Sequence, residues 1–123
     1  MQRRPVYLNL FKITLPATAW VSVLHRASGV LMFLAIPASI YLLGLSLRDS
    51  SGYNQVLSIL SHPISLLVML SMLWALIHHL LAGIRFLLID IDIGIEKESS
   101  RRSAWWVVIA ALILTLMIAG VLI

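Results

Sequence analysis

Three long apolar runs alternate with short polar stretches along this chain. Ala27 to Leu47 is 21 residues without a formal charge. Pro63 to Ile84 is 22 residues with two histidines as its only ionisable groups, and Ser103 to Ile123 is 21 residues, almost all aliphatic. About 20 apolar residues suffice for a helix to cross a bilayer. The runs are continuous, without the alternation that the strands of a membrane barrel require. The pattern predicts an all-α integral membrane protein: one domain over residues 1–123 with transmembrane helices over about 21–48, 62–90 and 103–123.

The flanking segments add detail. Residues 6–20, "VYLNLFKITLPATAW", mix apolar and polar positions and predict an interfacial segment broken at Pro16. Pro37 removes a backbone donor inside the first span and predicts a kink. "DSSGYN" predicts a turn, and the "QVLSIL" after it a short surface helix. The first span is too long for a signal-peptide core and lacks a small-residue cleavage pattern, so it is expected to be retained.

Composition strengthens the membrane reading. The chain is 61% hydrophobic and 11% charged, with a mean hydropathy of +1.02. A soluble domain is about half apolar and about a quarter charged. The absence of cysteine excludes disulfides, thiolate-held iron–sulfur clusters and covalently attached c-type haem. The net charge of +4 does not point to nucleic acid, because most of the basic residues flank the apolar runs. Arg3, Arg4 and Lys12 precede the first span, Arg48 alone follows it, and Lys97, Arg101 and Arg102 precede the third. The positive-inside rule then puts the N-terminus and the second connection in the cytoplasm, and the C-terminus in the periplasm. Three helices bury little surface against one another, and lipid provides no hydrophobic drive between them. A single chain of this kind is expected to be one subunit of a larger membrane complex.

Two polar constellations carry candidate chemistry. The first is "ALIHHLLAGIRFLLID", residues 75–90. Neighbouring residues on a helix point about 100° apart, so His78 and His79 face different ways. His79 shares a face with Ala75, Ala82 and Gly83, a strip of small residues along which a flat group such as a haem can approach. The competing explanation is tight helix packing with a histidine hydrogen bond. His78, beside Trp74, Leu81, Ala82 and Arg85, has the bulkier face and the weaker case for a function. Arg85 either anchors the interface, paired with Asp90, or contacts a cofactor.

The second constellation is "WVSVLHRASGV", residues 20–30. Ser22, His25, Arg26 and Gly29 lie three, four or seven residues apart and so border one notch. His25 and Arg26 suit carboxylates such as haem propionates, and Ser22 with Arg26 suits a quinone carbonyl. The alternative is a basic membrane-edge anchor. His79 lies eleven residues before Asp90, ~16 Å along a helix, which places His25 and Arg26 about two turns nearer the cytoplasm than His79.

These residues resemble the cytochrome b subunit of succinate dehydrogenase, the larger membrane anchor of respiratory complex II, with the closest likeness to proteobacterial members. "RPVYLNL" is similar to that family's opening segment. "SVLHRASGV" is similar to its S-x-x-H-R-x-[ST]-G signature, and "HHLLAGIRFLLID" to its H-x-x-x-G-[IL]-R-H-x-x-x-D signature. The resemblance implies His79 as an axial ligand of haem b, with the opposite ligand from a second, smaller anchor subunit whose helices pack with these. It implies Ser22 and Arg26 at a ubiquinone site, and His25, Arg26 and Arg85 on the propionate side. FAD and iron–sulfur clusters are implied on two further subunits, the flavoprotein and the iron–sulfur protein, and the location is the bacterial inner membrane. Phe86 departs from the pattern, since many relatives carry a histidine there. Rival readings are the anchor of a fumarate reductase oxidising menaquinol, a haem-free structural anchor, and a small oligomeric transporter. The clustering of charge on the cytoplasmic half opposes the last.

Overall fold

A computed structural model describes residues 14–122. Four helices follow in order: α1 (Ala17–Ser46), α2 (Ser50–Leu60), α3 (Pro63–Asp90) and α4 (Lys97–Leu122). Three of them, α1, α3 and α4, are long and apolar enough to span a membrane. The fold is all-helical, as the periodicity predicts, with no strand among the described residues.

Local chemistry sets the boundaries. Pro16 is the extended residue from which α1 starts, because a proline lacks the donor that a preceding turn would need. Most of the predicted interfacial segment precedes residue 14 and lies outside the described residues, while Ala17–Trp20 is already helix. The helix runs unbroken through Pro37. "DSSGYN" is not a free turn. The Asp49 carboxylate accepts from the Gly52 amide at 2.6 Å and so caps α2. A Cβ at Gly52 would collide with the Leu45 carbonyl oxygen, so only glycine lets α2 fold back this closely on α1. His62 caps α3, its Nδ1 accepting from Ile64 N at 3.2 Å, with Pro63 at the first helical position. Asp92 and Gly94, with φ of 63° and 76°, turn the chain from α3 into α4.

The sequence predicts a third span from Ser103, yet α4 begins at Lys97. The earlier start is polar helix held from the side, with Arg85 of α3 reaching its first turns. An exposed Glu98–Arg102 pair at 3.9 Å adds little.

α3 is the central element, packed on α1 along one side and α4 along the other, with α2 chiefly against α1. The contact residues are small: Val21 and Ser28 on α1, Ala75 and Ala82 on α3, and Ala104, Val107 and Ala111 on α4 are all buried. Membrane helices associate through close backbone approach and hydrogen bonds, which small residues permit. The large side chains, among them Phe33, Ile40, Leu87, Leu116 and Met117, point outward, as expected where lipid or other subunits replace water. Ala82→Leu inserts three heavy atoms where no space remains, and overpacking costs about 1–3 kcal/mol. Thermal unfolding of the purified complex is expected to show a lowered midpoint for Ala82→Leu and an unchanged one for a change at outward-facing Leu87.

Candidate functional site: a histidine pair between two spanning helices

α1 and α3 each carry a histidine followed four residues later by glycine, His25–Gly29 and His79–Gly83. The helices are joined so that each histidine lies against the other's glycine. A Cβ at Gly29 would come within 3.1 Å of His79 Cε1, and one at Gly83 within 3.6 Å of His25 Nε2. The two imidazoles stack with centroids 3.9 Å apart and planes at 16°. Phe86 meets the His25 ring edge-on at 5.2 Å.

His79 is half-buried and tied to α1 through one nitrogen. Its Nδ1 lies 3.0 Å from the His25 carbonyl oxygen and 3.1 Å from Ser28 Oγ. A carbonyl oxygen only accepts, so Nδ1 carries the hydrogen and donates it. Nε2 is then the nitrogen with the lone pair, and among the described residues it has no hydrogen-bond partner. A neutral imidazole anchored through Nδ1–H to a carbonyl, with Nε2 free, is the form in which histidine binds a metal.

This geometry revises three expectations. His25 is level with His79, not about two turns nearer the cytoplasm. The two rings touch because α1 starts at Ala17 and crosses α3 at this height. The small-residue strip is largely occupied as well. Ala75 and Ala82 are wholly buried by packing within the chain, leaving Gly83 beside His79, where the His25 ring covers it. Arg85, finally, does not pair with Asp90. Its Nε donates to Ser103 Oγ at 3.0 Å, and one terminal nitrogen donates to the Ser100 carbonyl and hydroxyl at 3.0 and 2.8 Å. The guanidinium, 5.6 Å above the Phe86 ring, thus clamps α3 to the start of α4. Burial favours this: with 6% of its surface exposed, Arg85 needs partners at hand.

Ser22, half-buried, and Arg26, exposed, stand one helical turn apart on α1, flanking His25. They share the first turns of the helix. Neither of two apolar cavities includes these residues. One of about 630 Å³ lies between α1, α2 and the first half of α3, lined by Leu34, Ala38, Ile59 and Met69 among others. The other, about 280 Å³, lies between Trp20, Leu24, Trp105 and Val108. The candidate chemistry is on an open helix–helix seam, not in an enclosed pocket of this chain.

Sequence reasoning missed Ser28 and did not foresee the full burial of His78. Ser28 is wholly buried, and its hydroxyl also donates to the His25 carbonyl at 2.8 Å. The legible signal was its place three residues after His25, on the face that meets α3. His78 is the most enclosed polar side chain, stacked on Trp74 at 5.2 Å. Neither of its nitrogens has a partner among the described residues.

A three-span helical membrane protein that holds two imidazoles between neighbouring helices is the class these features define. The family model described as succinate dehydrogenase/fumarate reductase transmembrane subunit matches residues 1–118. A succinate dehydrogenase cytochrome b556 subunit of Coxiella burnetii is 36% identical over 121 residues, covering 97% of this chain and 95% of that one. Proteins of the same name from Rickettsia felis and Paracoccus denitrificans are 30% and 24% identical, covering 94% and 93% of this chain and 90% and 88% of theirs. The chain belongs to the succinate dehydrogenase/fumarate reductase transmembrane-subunit family, among its cytochrome b members.

The two adjacent histidines separate experimentally. His78→Met keeps the volume and removes two buried unpartnered nitrogens, each of which costs about 1–3 kcal/mol when left unpaired. The variant complex is expected to hold as much haem as the wild type and to unfold at the same temperature or higher. Haem loss specific to this variant would show that His78, not His79, faces the cofactor.

Proposed function

We propose that this chain is the anchor that brings haem b and ubiquinone together at the cytoplasmic side of a bacterial inner membrane. Its N-terminus and the 91–96 connection face the cytoplasm, and its C-terminus faces the periplasm. It works beside a second, smaller anchor subunit, an iron–sulfur subunit and a flavoprotein carrying FAD. The names of the relatives favour the succinate-oxidising direction over fumarate reduction. The catalytic oxidation of succinate belongs to the soluble subunits, and this chain contributes binding and positioning at the membrane end.

One observation carries the haem assignment. His79 is held through Nδ1, and its Nε2 lone pair is presented at the α1–α3 seam. The residues present fit a haem bound there from one side, because the ligand ring is fixed by packing on Gly29 and by two oxygens of α1. The opposite iron ligand comes from the second anchor subunit. When bound, haem b supplies a site that takes up and returns one electron at a time. His25 stacks on the ligand ring and limits its rotation, and Arg26 on the exposed side of α1 is placed for a propionate. Arg85 holds α4 against α3 through Ser100 and Ser103, so its part on the propionate side is to keep the cytoplasmic ends of the helices together.

Ser22 and Arg26 orient the quinone. A hydroxyl and a guanidinium both donate to a carbonyl oxygen, and donors fixed near the place where negative charge develops lower the barrier to reduction. Both residues lie in the first three turns of α1, within ~14 Å of its start. Protons therefore reach the quinone from the cytoplasmic edge without crossing the bilayer.

His79→Ala is expected to abolish most of the haem in the complex, as measured by pyridine haemochrome against protein. A full complement of haem in that variant would remove His79 as a ligand. Arg26→Leu is expected to lower succinate:ubiquinone activity roughly 10- to 100-fold, the range of one charge-assisted hydrogen bond, and Ser22→Ala roughly 2- to 10-fold, the range of a neutral one. Succinate oxidation with a dye acceptor should persist in both. Equal loss of the two activities would indicate failed assembly and no quinone role.

A further inference from the structure

Ser28 is wholly buried at the α1–α3 contact, and its geometry exceeds what helix packing requires. Serines inside helices commonly donate to the carbonyl one turn back, and Ser28 does so to His25 at 2.8 Å. That bond takes up the hydroxyl's single hydrogen. Its oxygen therefore faces His79 Nδ1, 3.1 Å away, with lone pairs only. The His25 carbonyl oxygen, 3.0 Å from the same nitrogen, also only accepts. One Nδ1–H is thus received between two oxygens of α1, and the hydroxyl that supplies one of them also aims the other.

Resting on the ligand role proposed for His79, we propose that Ser28 is a positioning residue for the haem iron. It fixes the rotation of the His79 ring and sets how strongly Nε2 donates to the metal. Acceptors on the Nδ1–H of a ligating histidine raise the basicity of the ligating nitrogen. A more basic ligand favours oxidised over reduced iron, so Ser28 holds the reduction potential down. Gly29 completes the arrangement: a Cβ there would come within 3.1 Å of His79 Cε1, so the absence of a side chain lets the ring lie close enough to reach the two oxygens.

The test is a redox titration of haem b with low-temperature electron paramagnetic resonance. The samples are the intact complex as wild type, Ser28→Ala, Ser28→Thr and His79→Ala. Ser28→Ala is expected to keep the wild-type haem stoichiometry, with a more positive midpoint potential and a displaced low-spin ferric signal. Ser28→Thr, which retains the hydroxyl, is expected to restore both. A Ser28→Ala complex with unchanged potential and unchanged signal overturns the proposal, since a role in packing alone would leave both where they are. So does loss of haem from both serine variants, which would mean that the site needs the serine's size and not its oxygen. Failure of the underlying reading has its own signature: His79→Ala would keep haem with a wild-type spectrum.

Discussion

The close approach of α1 to α3 is the constraint on which the rest of this structure depends. Lipid gives two apolar helices no reason to associate through hydrophobicity, so contact must come from packing and hydrogen bonding. Here the packing is reciprocal. His25 lies over Gly83 and His79 over Gly29, so each helix supplies both a ring and the space for a ring. Two imidazoles that would be costly in hydrocarbon alone become an interlocking contact, closed by the hydrogen bond from His79 Nδ1–H to the His25 carbonyl. A side chain at Gly29 would press on the His79 ring and disturb the stack and the hydrogen bond together.

The other intramembrane polar groups follow the rule that buried donors and acceptors find partners nearby. Thr115 and Ser71 donate to carbonyls one turn back on their own helices, at 2.7 and 2.8 Å. Arg85 cannot be satisfied locally and reaches across to Ser100 and Ser103 in the first turns of α4. His78 is the exception, fully enclosed with only Trp74 stacked against it. Specificity in this small bundle therefore comes from a few polar links among small residues, not from a large apolar core.

Most of the large apolar side chains face outward, and the ligand candidate His79 sits on an open seam. Both features fit a chain that provides one wall of a shared site. A haem ligated from one side needs a second wall, and a quinone held by Ser22 and Arg26 needs a ceiling. The proposed partner subunits supply these. The division also fits the two apolar cavities described above, which lie away from the polar chemistry.

Apolar run length alone determined the three spans, because in hydrocarbon only a helix satisfies every backbone group of such a run. The motif residues His25, Arg26, His79 and Gly83 were also readable, since fixed spacings put Ser22 beside Arg26 and Gly83 beside His79 whatever the tertiary arrangement. The relative height of α1 and α3 was not readable. It depends on where two separate helices come to rest, which is why His25 touches His79 and does not lie two turns below it. The same holds for the enclosure of Ala75 and Ala82. Both alanines lie within a turn of either histidine, and only the position of α4 decides which face is enclosed. Arg85 had two plausible partners by sequence, Asp90 five residues away and a cofactor. It took a third, Ser100 and Ser103, because the turn at Asp92 and Gly94 folds α4 back over it. Ser28, part of the helix-one signature but without an assigned role, became a candidate for function only when the crossing of two helices set its oxygen beside His79.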